Sequence, residues 1–100
     1  MNVKVNPVHF KADQKLTEFV NKKAQKLEQY FDGLISVEVT LKIDKPESPK
    51  NKVAELRLSV PSHDNLFAEK QADTFEEATD LVLEAGVKQL KKMKEKLKAK

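Results

Sequence analysis

The last turns of the chain read VKQLKKMKEKLKAK, residues 87–100. Lys88, Lys91, Lys92, Lys94, Lys96, Lys98 and Lys100 stand there against a single acid, Glu95. An ammonium on a flexible stem needs no cofactor to neutralise a phosphate, which it meets as a point charge. A smaller set, Lys15, Lys22, Lys23 and Lys26, recurs in ADQKLTEFVNKKAQKLEQYFDG. The whole chain carries only +3, because the stretch from Asp44 to Glu84 holds ten acids against five bases. Charge segregated in this way points to an anionic partner met by one face of the molecule.

A lysine-rich helix end also complements the helix dipole, at about 0.3–1 kcal/mol per favourable charge. That effect reaches only the last turn and does not call for seven lysines. Like-charge neighbours such as Lys88/Lys92 and Lys92/Lys96 repel by a few tenths of a kcal/mol each. A polyanionic partner offsets this cost most simply.

Other reactive residue types are sparse. There is no cysteine, so disulfide and thiol chemistry are excluded and a reducing cytoplasm is the simplest home. His9 and His63, far apart in the chain, cannot build a zinc site without several carboxylates. His63 adjoins Asp64 in PSHDN without a nucleophile in recognisable context, and a surface turn is the simpler reading. The acids of FEEATD and DKPE read as a helix start and a turn, and two glycines cannot build a phosphate loop. We therefore expect no catalytic residue, no metal, no cofactor and no small-molecule substrate. No run is long enough to span a membrane, and MNVKVNPVHF lacks the apolar stretch of a signal peptide.

These lysines need scaffolding. One hundred residues, 39% apolar and 35% charged, suit one solvated domain, residues 1–100. MNVKVNPVHF alternates at Val3 and Val5 before Pro7, as an edge strand does. Leu16, Phe19, Val20, Ala24, Leu27 and Phe31 then recur at helical spacing, with Asp13 as N-cap and Gly33 as a positive-φ cap. Ile35, Val37, Val39, Leu41 and Ile43 alternate with polar residues, as do Ala54, Leu56, Leu58 and Val60. LFAEKQA is a shorter strand, and the polar connections before and after VAELRLSV suit antiparallel neighbours. Thr74 and Glu77 form a capping box for a final helix whose apolar row is Phe75, Ala78, Val82, Leu90, Met93 and Leu97. Gly86 sits on that row at a cost of about 1 kcal/mol, which close backbone approach would explain. The fold class expected is α+β, a two-layer β-α-β-β-β-α sandwich with two helices on one face of a four-stranded sheet.

On such a frame Lys88, Lys92 and Lys96 lie on the far side of the last helix, and Lys91, Lys94 and Lys98 along one flank. Lys15, Lys22 and Lys26 lie opposite Val20 on the first helix, and Lys23 nearer its margin. Side-by-side helices could merge these rows into one basic surface. A membrane-lying helix would need its apolar row for lipid, and here the sheet claims it. Base-reading in DNA would favour arginine, yet Arg57 is the only one. RNA read by shape fits best. Tyr30 either caps the core or stacks on a base.

EFVNKKAQKLEQYFDGLISVEVTLKIDK, DTFEEATD and KQLKKMKEKLK resemble the ribosome hibernation-promoting and ribosome-associated inhibitor family of bacteria. The resemblance covers essentially the whole chain and looks like the short form, without the C-terminal dimerisation domain of longer members. It implies a fold similar to double-stranded-RNA-binding domains. It also implies binding to the small ribosomal subunit, against ribosomal RNA in the tRNA and mRNA channel near the decoding centre. Translation would stop by occlusion, preserving inactive ribosomes in stationary phase or stress. Lys22, Lys23 and Lys26 match the family's basic positions on the first helix, and Lys88, Gln89, Lys92, Lys94 and Lys96 those on the second; Lys91 joins them as a neighbour. The chain departs from the family pattern at Ala85 and Gly86, where Lys and Leu are common, and at Met93. Any pairing of bound ribosomes would need a separate dimerising factor. Two other readings stand beside this one: a general duplex-RNA-binding module, which would bind any A-form helix, and an enzyme.

Overall fold

The first strand, β1 (Asn2–Pro7), lies at the edge of the sheet, where the missing N–H of Pro7 leaves no ladder bond unmade. The computed structural model describes residues 1–45 and 47–98, without the side chains of Leu97 and Lys98. The expected roles of Leu97, Lys98 and Lys100 therefore lie outside the described residues. β1 runs parallel to its neighbour β2 (Ser36–Ile43), with Val3 opposite Val37 and Val5 opposite Val39. Parallel neighbours need a crossover, and α1 (Gln14–Gln25) supplies it. β2 then pairs antiparallel with β3 (Lys52–Ser59), and β3 with β4 (Leu66–Ala72), giving the order β1-β2-β3-β4.

α1 starts as the sequence suggests, with the Asp13 carboxylate accepting from the Leu16 N–H at 2.8 Å. Its end differs from expectation. The α-helix closes at Gln25 and tightens into a 3₁₀ turn, Lys26–Gln29, in which Leu27 is buried. Gly33 is not a left-handed cap, since no glycine has positive φ. Its value is room: a Cβ there would stand 3.0 Å from the Phe31 ring.

The last helix, α2 (Phe75–Lys98), opens with the Glu77 N–H donating to the Thr74 hydroxyl at 3.1 Å. Both helices cover one face of the sheet. Val20, Ala24 and Leu27 meet Val37, Val39, Leu41, Leu56 and Leu58 in the core, with Ala78, Val82 and Leu90 from α2. Ile35 and Ile43 are exposed, contrary to the alternation through the second strand, and Leu34 takes a core place before that strand begins. Leu34 closes a turn through its N–H to the Phe31 carbonyl, so the period of two starts only at Ser36. Phe75 is half-buried and stacks on Phe10, ring centroids 4.8 Å apart, which ties the β1–α1 connection to the start of α2.

Candidate nucleic-acid interface

The ammonium of Lys23 on α1 lies 3.7 Å from the Asp80 carboxylate on α2. Further along α2, and past the end of α1, the Lys91 ammonium lies 5.6 Å from the centre of the Tyr30 ring. Because contacts advance in the same direction along each chain, the helices run side by side and parallel. The lysine-bearing end of α1 thus lies beside the first turns of α2, around Asp80, and Lys91 lies past the end of α1, beside Tyr30.

α2 presents its lysines in three directions. Lys91 faces the α1 side through Tyr30, and Lys94, one turn on, falls beside it. Gln89 turns the other way, donating from Nε2 to the Phe67 carbonyl on β4 at 3.0 Å. Lys92 and Lys96 follow Gln89 at helical spacing and so lie toward that flank. Lys88 occupies the outer crest, where Lys88, Gln89, Lys91, Lys92 and Glu95 line a shallow depression of about 390 Å³. On the first helical segment Lys22 and Lys26 are exposed, and Lys23 is half-buried at the seam with α2. Of the lysines expected to form a merged surface, Lys23 meets α2 at Asp80 and Lys91 meets Tyr30, with Lys94 one turn on; Lys22 and Lys26 are exposed on the first helical segment. Lys92 and Lys96 face away from α1.

Apart from Lys23, none of these lysines has a carboxylate within ion-pair distance among the described residues. Lys23 also lies 5.5 Å from the centre of the Phe19 ring. Gln89, expected among the RNA-binding residues, spends its Nε2 on the bond to β4. Sequence reasoning did not find the Lys23–Asp80 pair or the Lys91–Tyr30 contact. Helical spacing orders residues within one element and is silent on the relative rotation of two.

The uncovered sheet face is different. Lys42 reaches Glu55 at 2.6 Å and Glu69 at 3.8 Å, and Asn6 donates to Glu38 at 2.8 Å. The hydrogen bond to Glu55, with its charge, holds the Lys42 ammonium above the usual lysine pKa. The same hydrogen bond lowers the Glu55 pKa, against the opposing effect of partial burial. Here charges answer one another, whereas among the lysines of the helical face Lys23 alone has such a partner among the described residues.

Elsewhere, His9 and His63 are exposed, and His9 sits at φ 61°. Among the described residues no cluster of three His, Cys, Asp or Glu could hold a metal ion, and no helix is long and apolar enough to cross a membrane.

The family described as sigma 54 modulation protein / S30EA ribosomal protein matches residues 3–98. Among solved structures, the N-terminal domain of Thermus thermophilus Protein Y superposes with a TM-score of 0.78 at 21% identity, covering 93% of this chain and 99% of that one. A ribosomal subunit interface protein from Coxiella burnetii gives 0.75 at 19% identity over 100% of both chains. At such identities the likeness is one of fold. No curated protein sequence matches the chain closely enough for comparison.

Proposed function

The chain belongs to the sigma 54 modulation protein / S30EA ribosomal protein family, that of the ribosome hibernation-promoting factors, and we propose that it silences ribosomes by occupying the small subunit. In this reading the cytoplasmic protein lays its parallel helices against ribosomal RNA in the tRNA and mRNA channel near the decoding centre. Lys22, Lys23, Lys26, Lys88, Lys91, Lys92, Lys94 and Lys96 neutralise phosphates there, and Gln89 holds α2 on the sheet. Occupancy alone excludes tRNA and messenger, and the idle ribosome is stored through stress or stationary phase. The observation that carries this reading is the set of lysines on two side-by-side helices, of which all but Lys23 lack a carboxylate within ion-pair distance among the described residues. Support comes also from the Coxiella burnetii neighbour, whose description places that protein at the ribosomal subunit interface.

The test is co-sedimentation of the purified chain with isolated small subunits, with a translation reaction in parallel. Binding to small subunits and inhibition relieved by excess tRNA and messenger are expected. Failure to sediment with subunits at low salt overturns the reading. Equal affinity for any RNA duplex of similar length would instead favour a general duplex-binding module.

A further inference from the structure

We propose that Tyr30 is a stacking platform for an unpaired nucleobase, backed by the Lys91 ammonium, and this rests on the RNA-binding reading above. Tyr30 follows the 3₁₀ turn, where its N–H donates to the Leu27 carbonyl at 3.0 Å. Leu27 is itself buried, so the ring is carried on backbone anchored to the core. Tyr30 is nevertheless 37% exposed, and the phenol hydroxyl has no hydrogen-bond partner among the described residues. Lys91 approaches it to 5.6 Å from a parallel helix, within cation–π range. Lys26, four residues before Tyr30, and Lys94, one turn after Lys91, are further cations without ion-pair partners among the described residues.

The other rings are differently engaged. Phe10 and Phe75 stack on each other, Phe19 lies under Lys23 and against the core, and Phe31 fills the space beside Gly33. Phe67 is 53% exposed, but it belongs to the open sheet face, where Glu38, Glu55 and Glu69 are matched by Lys4, Lys42 and Arg57 and no excess of cations surrounds the ring. Tyr30 is thus the aromatic exposed among uncompensated lysines. A nucleobase offers a π-face to the ring, and the flanking ammonium groups take the phosphates on either side. Lysines alone discriminate poorly between RNA shapes. A ring that needs an unstacked base would favour looped RNA over continuous duplex.

Tyr30 is the only tyrosine and the chain has no tryptophan, so its emission reports this contact directly. The full chain is titrated with an RNA hairpin carrying an unpaired loop, and with a duplex of the same stem sequence. Dye anisotropy follows binding, and co-sedimentation with small subunits is run alongside. The hairpin loop should quench tyrosine emission and the duplex should leave it unchanged. Tyr30→Leu should weaken hairpin binding about ten-fold with duplex binding retained, and Tyr30→Phe should restore it. Co-sedimentation without loop-dependent quenching overturns the stacking role alone. An equal loss of both RNAs in Tyr30→Leu, or a lowered melting temperature that accounts for the loss, makes the ring structural and overturns it too. Absence of co-sedimentation removes the RNA-binding reading and this inference with it.

Discussion

Gly86 packs so closely on Leu56 that a Cβ at the glycine would stand 2.5 Å from the leucine Cδ2. A glycine in the middle of a long helix costs about 1 kcal/mol of propensity, and this contact explains why it is tolerated. Leu56 is buried in the core, so its methyl group has little room to yield. Gly86→Ala would gain about 1 kcal/mol of helix propensity and lose about 1–3 kcal/mol to overpacking. The expected net effect is a destabilisation of about 1 kcal/mol in urea unfolding. In a Leu56→Ala background the same change should turn stabilising, because the clash is gone.

That contact also shows what the sequence makes legible. The glycine's place on the apolar row is plain from spacing, as are the Asp13 and Thr74 caps and the antiparallel β2–β3–β4 order. The parallel pairing of β1 with β2 is not, because nothing in NVKVNP records which way its neighbour runs. Nor is the 3₁₀ ending of α1, since the four-residue spacing of Leu27 and Phe31 reads as one more α-helical turn. The lysines of the interface are visible as a charge count. Their division between the α1 side and the β4 side depends on helix rotation, which is set by Gln89 bonding Phe67 and Lys91 meeting Tyr30.

Charge reversal separates binding from folding. Lys88 and Lys92 are exposed and without ion-pair partners among the described residues. Lys88→Glu with Lys92→Glu should weaken binding to small subunits at least ten-fold, because each reversed charge removes a phosphate contact and adds a repulsion. Unfolding free energy should change by less than about 0.5 kcal/mol. Matched losses of binding and folding would show that these side chains support the helix rather than the partner.

Salt dependence counts the contacts. If about five lysines displace counterions, log K should fall against log salt with a slope of roughly −3 to −5. Lys91→Gln with Lys94→Gln, on the α1 side, should make that slope shallower by about 2. A slope unaffected by both changes would place the RNA elsewhere on the molecule.

The open sheet face should govern acid stability. Glu55 and Glu69 lie directly opposite each other, and Lys42 bridges them. The Glu55 pKa is lowered in the folded state, so its contribution is complete above the unfolded carboxylate value and fades as pH falls through the folded one. The Lys42 pKa is raised, so its contribution holds below the ordinary lysine value and fades as pH climbs through the folded value. Lys42→Met should cost roughly 0.5–1 kcal/mol at neutral pH, the small size reflecting exposure of the pair. The variant should also lose part of the wild-type slope of stability against pH in the acid range, as read by urea titrations. An unchanged slope would mean that other carboxylates dominate acid unfolding.

Thr79 lies fully buried on α2, and its hydroxyl has no hydrogen-bond partner among the described residues. A hydroxyl left dry and unpaired in a core costs on the order of 1–3 kcal/mol relative to an apolar group of the same shape. Thr79→Val keeps the branched outline and removes the polar atom, so it should stabilise the protein by about 1 kcal/mol. Over a domain of this size that gain corresponds to a melting temperature higher by about 4–8 °C. Thr79→Ser is the control, because it keeps the hydroxyl and deletes a packed methyl group, and it should be less stable than the parent. If valine melts lower than threonine, the hydroxyl has a partner in solution, and a hydrogen bond back to the carbonyl one turn earlier becomes the better description. The lysines lie on the outer side of the same helix, so RNA binding should be unaffected by either change.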